Sequence, residues 1–470
     1  MRHMPGMQKS MLSTRKMSKA ILSLILTLFV LHLSGQEADK VVRSIFSEAL
    51  SDSTAYNQLR YLCRNTKGRI PGSPQAAAAV EYTRQELIRA GADTVWLQRV
   101  PVPEWVRGVE QCKVISSLLG SENLAISALG LSVGTTIDGI IAGVIEVHDF
   151  EELKQLGRNS IEGRIVFFNR PVDNTLINSF AGYAGAVNQR TQGASEAAKY
   201  GAAAVVVRSA TQAIDHFPHT GMTRYAPDVK KIPAVAVSTS DAELLSKWLK
   251  TDSNLKIHLI STCKNLPDTW SYNVIGEIRG RGKAGEFITV GGHLDAWDIA
   301  EGAHDDGGGC VQAIEMIRIY KKLNINPKRT VWAVLFMNEE MSGTGGRTFA
   351  HEAGKNGELQ YAALESDRGV TSPRGFVFDA EMPRLGRLQA LASFFAPYNI
   401  RDFDRGGGGS DISPLKALGA LQIGYVPDTQ RYFYFHHSAN DTFAQVNIRE
   451  LQLGSAAIAS LIYLIDLMDL

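Results

Sequence analysis

Four apolar, strand-like runs in this chain each end in histidine or carboxylate residues. Phe287-Ile-Thr-Val-Gly-Gly leads into His293-Leu-Asp295, followed by Gly302-Ala-His-Asp305-Asp306-Gly-Gly-Gly309. Val331-Trp-Ala-Val-Leu-Phe leads into Met337-Asn-Glu339-Glu340, and Tyr361-Ala-Ala-Leu into Glu365-Ser-Asp367. The run at Leu421 is followed, after a loop, by Phe435-His436-His437-Ser-Ala-Asn-Asp441-Thr442. Taken singly, each has an ordinary reading as a hydrogen-bonded histidine or a pair of solvated acids. Gathered at one sheet edge they are costly, because unpaired charges near a low-dielectric edge are penalised unless a cation meets them. Two imidazoles and three carboxylates without a thiolate suit zinc, with manganese or cobalt as substitutes. A pair of such ions polarises a carbonyl and lowers the pKa of a water, and a further carboxylate must then carry that water's proton to the leaving amine. Glu339, adjacent to Glu340, is placed for this transfer, and Asp295 for accepting the His293 imidazole N–H.

The elements that must position these residues read as strands over 287–290, 331–336, 361–364 and 421–425. Helical patterns intervene over 310–323, 344–353 and 385–395, and a long one closes the chain over 448–468. This alternation predicts an α/β fold, a mainly parallel mixed sheet covered by helices on both faces, with ligands at the carboxyl ends of its strands. Upstream, helical patterns at 39–65 and 76–90, the second capped by Ser73, precede a strand over 94–102 closed by prolines. Between 111 and 264 the texture changes to short β-branched runs and helical stretches with no metal-spaced cluster. That segment reads as a separate, non-catalytic α/β domain, leaving a discontinuous catalytic domain of residues 36–110 and 265–470.

Length and charge are consistent with this organisation. A chain of 470 residues calls for two or three domains. The formal charge of +1 carries no nucleic-acid footprint. Residues 1–35 hold five basic side chains and no acid, and a basic stretch there precedes a 14-residue apolar run, Ala20 to Leu33, then Ser34 and Gly35. This is the pattern of an export signal and is too short for a permanent anchor. It predicts a secreted or periplasmic protein with no membrane anchor in its mature form. The four cysteines form no C-x-x-C pair. Cys112 and Cys263 flank the candidate insertion, either bridged or as buried thiols.

These motifs resemble the co-catalytic zinc exopeptidases of the aminopeptidase Y and glutamate carboxypeptidase type. Within that family, His293-Leu-Asp-Ala-Trp-Asp298, the Asp305-Asp306-Gly-Gly-Gly stretch, Glu365-Ser-Asp367 and Phe435-His-His-Ser438 resemble the glutamate carboxypeptidase branch. Matching motifs run from about Gly68 to Thr442. The resemblance implies two zinc ions per chain bridged by Asp305, with His293 and Asp367 completing one and Glu340 and His437 the other. It also implies Glu339 as general base, Asp295 orienting His293, a cis bond at Asp305–Asp306, and a protease-associated domain at 111–264. A short peptide substrate is implied, and a homodimer is compatible with it. The sequence departs from the wider pattern at two positions. His436 stands where many relatives have a tyrosine that stabilises the tetrahedral intermediate. Arg368 stands where a small residue is expected, and either binds a substrate carboxylate or pairs with a nearby acid. Arg347, Arg374 and Arg405 are further candidates for a carboxylate anchor.

Two other readings keep the fold. A one-zinc glutaminyl-cyclase-like acyltransferase would have no need of His293, and a catalytically silent, receptor-like protein would have lost ligands or the base. All five ligands and Glu339 are present. No G-x-S-x-G stretch offers a serine nucleophile.

Overall fold

The computed structural model describes residues 35–470 and folds them around two eight-stranded sheets. The export signal expected at the N-terminus lies, through Ser34, outside the described residues.

The first sheet consists of β1 (Thr94–Val106), β2 (Lys264–Ile278), β3 (Lys283–His293), β4 (Arg329–Phe336), β5 (Leu359–Glu365), β6 (Pro373–Asp379), β7 (Asp402–Arg405) and β8 (Leu421–Pro427). Their spatial order is β1-β2-β4-β3-β5-β8-β6-β7. The four central strands β4, β3, β5 and β8 are parallel, whereas β1, β2 and β6 pair antiparallel at the flanks. The interior position of β4 is written in its sequence: all eight residues are buried, as expected of a continuous apolar run in a strand covered on both faces. Val331, Ala333 and Leu335 face the larger core with helices Gly308–Lys322 and Ile448–Met468. Trp332, Val334 and Phe336 face the opposite cluster, where Phe349 of helix Thr344–Lys355 meets the Trp332 and Phe336 rings edge-on. The closing helix Ile448–Met468 is long and apolar enough to cross a bilayer, yet 72% of its most apolar window is buried inside the protein.

Two local readings are corrected. The helical stretch of residues 35–51 is separated from Thr54–Asn65, because the Asp52 carboxylate accepts the Thr54 N–H at 2.6 Å and starts a second helix. The prolines do not end β1, which continues through Pro101 and Pro103 to Val106. This strand lies at the sheet edge with β2 on one side only, where a residue without an N–H costs no ladder bond. The Ser73 cap is present, its Oγ accepting the Ala76 N–H at 3.0 Å.

The second sheet is built entirely from chain lying between β1 and β2, which are themselves neighbours, Val106 opposite Lys264. Its central strands Ile140–Val147, Ile165–Phe168, Ala204–Arg208 and Ala234–Val237 are parallel. Cys112 and Cys263 are buried free thiols, as are Cys63 and Cys310.

Candidate metal centre

Register places the chemistry. His293 is the last residue of β3, opposite Phe336 at the end of β4, and Gly291 is opposite Glu365 at the end of β5. The loops leaving β3, β4 and β5 therefore start at one level. Asp305 lies in the wide turn Ala303–Gly307 that feeds helix Gly308–Lys322, and the 305–306 peptide bond is cis. Glu339 and Glu340 follow β4, and Asp367 follows β5. His437 follows the short helix Tyr432–Phe435 beyond β8.

The five residues converge. His293 Nε2 lies 3.2 Å from Asp305 Oδ1 and 3.5 Å from Asp367 Oδ1. His437 Nε2 lies 2.9 Å from Glu340 Oε2 and 3.5 Å from Asp305 Oδ2, so Asp305 stands between the two imidazoles. Asp305 Oδ2, Glu340 Oε1 and Asp367 Oδ1 are buried with no hydrogen-bond partner. Buried acceptors are normally satisfied, and three orphaned carboxylate oxygens beside two imidazole nitrogens make a donor set that fits zinc. Burial and mutual repulsion push Glu340 and Asp306 well above the ordinary carboxylate range. Burial, reinforced by Asp367 against the opposing pull of His293, takes Glu339 up to about 7.

The surrounding contacts fix these groups. Asp306 accepts the His293 N–H (3.1 Å) and the Gly309 N–H (3.0 Å). A Cβ at Gly309 would lie 1.9 Å from the Ser366 carbonyl, so this approach requires glycine. Asp441 accepts the backbone N–H groups of His304 (2.8 Å) and Asp305 (3.1 Å), and Trp297 Nε1–H donates to Glu340 Oε2 at 2.6 Å. Trp297 and Asp441 both lie within the runs quoted above, but nothing in their spacing reveals these partners.

Asp295 acts differently from expectation. The acceptor near His293 Nδ1 is the Asp295 backbone carbonyl at 3.0 Å, with the carboxylate at 3.8 Å. The carboxylate instead accepts the N–H groups of Asn338 (2.6 Å), Glu339 (3.2 Å) and Glu340 (3.2 Å), clamping the loop that carries Glu339 and Glu340. Asp295→Asn turns one of these acceptors into a donor facing an N–H. We expect zinc affinity to fall by about 10- to 100-fold with the melting temperature of the metal-free protein shifted little, read by zinc competition against a chromophoric chelator. Unchanged affinity would contradict the clamp.

Residues 111–264, read from the sequence as a separate, non-catalytic domain, reach the back wall of the site. The Thr220 N–H donates to the His437 carbonyl at 2.9 Å, and His437 Nδ1 lies 3.3 Å from the Thr220 carbonyl and 3.1 Å from Arg190 Nη1. His219 Nδ1 is 2.7 Å from the His436 carbonyl. Gly221, at φ 128°, has no room for a side chain, since a Cβ would come within 2.6 Å of His437 Nδ1. His436 stacks on His437 with ring centroids 3.6 Å apart, its Nε2 3.8 Å from Asp305 Oδ2. Beside Asp367 opens a cavity of about 410 Å³ whose lining includes Arg368, Glu365, Ser410 and, from the second sheet's segment, Phe180.

The sequence model of peptidase family M28 matches residues 273–462. The chain is 32% identical over 432 residues to carboxypeptidase Q of Bos taurus, spanning 92% of this chain and 89% of that protein. It is 34% identical over 405 residues to carboxypeptidase Q of Xenopus laevis, spanning 86% and 84%. The crystal structure of a peptidase M28 precursor from Shewanella amazonensis is similar with a TM-score of 0.88 at 30% identity, covering 92% of this chain and 97% of that one. A zinc aminopeptidase from Bacillus subtilis shares the fold with a TM-score of 0.63 at 17% identity, covering 87% and 93%.

Proposed function

Because the chain belongs to peptidase family M28 and is a zinc-dependent exopeptidase, we propose that it hydrolyses dipeptides or short peptides at a two-zinc centre held by His293, Asp305, Glu340, Asp367 and His437. The observation that carries this reading is the trio of orphaned, buried carboxylate oxygens on Asp305, Glu340 and Asp367, with Asp367 Oδ1 3.5 Å from the His293 imidazole and Asp305 Oδ2 3.5 Å from that of His437. Asp305, between His293 and His437, is the residue suited to bridging. Zinc, when bound, supplies a Lewis acid for the scissile carbonyl and lowers the pKa of the attacking water.

The chain's own residues do the rest. Glu339 takes the proton of the attacking water and returns it to the leaving amine. The Asp295 carboxylate holds the Glu339 backbone in place. His436, which burial and Arg190 draw well below its usual range, is the residue we assign to meeting the developing oxyanion, through an imidazole N–H. We also read residues 111–264 as the inserted protease-associated domain and residues 1–35 as the signal that exports the enzyme.

The test is metal content measured together with dipeptide hydrolysis. Purified mature protein is expected to bind two zinc ions, lose activity on dialysis against a chelator, and regain it on zinc addition. Protein that binds one metal or none and cleaves no dipeptide would overturn the proposal.

A further inference from the structure

Most arginines that line the chain's polar clusters have acids to face. Arg107 meets Glu110 and Asp298, Arg318 meets Glu48 and Glu315, and buried Arg329 meets Glu286, Asp466 and Asp469. Two of the four arginines considered as carboxylate anchors are likewise taken, Arg374 by Asp428 and Arg405 by Glu381. Arg368 is different. It lines the cavity beside Asp367, is half-buried, and makes no ion pair among the described residues.

Its nearest acids, Asp367 and Glu365, form no ion pair with it and each keeps one buried oxygen, Asp367 Oδ1 and Glu365 Oε1, without a hydrogen-bond partner. Asp367 faces His293 at 3.5 Å, and Glu365 Oε2 accepts the N–H groups of Asp411 (3.0 Å) and Ile412 (2.9 Å). What steadies the guanidinium is an aromatic face, with its Cζ 5.4 Å from the Phe180 ring centroid. A planar fork of donors held against a ring, open to a cavity next to the reacting centre, matches a carboxylate in shape and charge.

We propose that Arg368 makes this cavity a carboxylate-binding subsite, so that the enzyme favours peptides able to place a carboxylate there. The inference rests on the peptidase reading above. The carboxylate comes either from an aspartate or glutamate side chain or from the peptide's own C-terminus.

Three substrate pairs separate these sources: Glu-Ala against Gln-Ala, Ala-Glu against Ala-Gln, and Ala-Ala against its C-terminal amide. Zinc-loaded wild type is expected to show kcat/KM about 10- to 100-fold higher for the anionic member of at least one pair, the gain of a charge-assisted contact. That ratio should collapse towards one in Arg368→Ala and survive in part in Arg368→Lys. The pair that responds identifies the source. No acid preference in any pair, or a preference that persists in Arg368→Ala, overturns the proposal.

A second arm does not depend on turnover. In zinc-free protein, calorimetry should show glutarate binding more tightly than glutaramide in wild type but not in Arg368→Gln. Equal binding in both proteins refutes the subsite whether or not peptides are cleaved. Failure of wild type to cleave every peptide would instead refute the peptidase reading.

Discussion

Glu339→Gln is expected to retain its zinc and lose kcat by about 10³-fold, the scale of positioned acid–base catalysis. The geometry separates the two effects. Glu340 is the member of the pair whose carboxylate meets His437, at 2.9 Å, and Trp297, at 2.6 Å. Glu339 contributes no atom to that group of ligands, and its backbone N–H is tied to Asp295. Glutamine preserves shape and hydrogen bonding but cannot take a proton. Burial, against the pull of His293, raises Glu339 to about 7, so the base should lose its function as pH falls through about 7. The acid limb of the wild-type kcat profile is expected to vanish in the variant's residual rate. Zinc content by mass spectrometry and steady-state kinetics on one preparation decide the matter. A variant that loses zinc together with activity would make Glu339 a ligand, and one that keeps full activity would make it a bystander.

Asp305→Asn should have the larger effect, because it removes a carboxylate whose two oxygens lie 3.2 Å from the His293 imidazole and 3.5 Å from that of His437. An amide offers one neutral oxygen where two charged ones stood, so neither half of the centre keeps its donor set. Activity is expected to fall to background, and zinc content to drop below one per chain after gel filtration. Stability offers a further readout. A ligand that binds only the folded state stabilises it by about 2.7 kcal/mol at a hundredfold excess over its Kd. The rise in melting temperature on adding zinc, expected for wild type, should therefore be nearly absent in the variant. A variant that keeps two tightly bound metals would show that Asp305 does not bridge.

The site was legible because its residues sit where strands end. A continuous apolar run such as β4 announces an interior strand, and parallel neighbours must bring their exits to one edge, so the acids after Phe336 and Leu364 and the histidine after Gly292 were bound to meet. The flanks of the sheet were less legible, since side-chain alternation does not say whether a neighbour runs parallel or antiparallel. The prolines of β1 misled because the cost of proline in a strand depends on whether the strand lies at an edge, a tertiary fact. Asp295 was found by its spacing from His293, but spacing cannot tell a carbonyl contact from a carboxylate contact. Arg190, His219 and Thr220 left no local signal, because their partners lie more than two hundred residues further along the chain.

The backing of His437 by Thr220, Arg190 and Gly221, and of His436 by His219, bears on how this enzyme could be rebuilt. A minimal version trimmed to the sheet bearing His293 would keep every proposed ligand and still lose the support behind one of them. An exchange of the 111–264 module with a relative would have to carry over the Thr220 carbonyl and the side-chain-free position beside it. Modularity in the chain's order is thus not modularity in its working parts: the segment can be excised on paper between two adjacent strands, but not from the proposed metal centre.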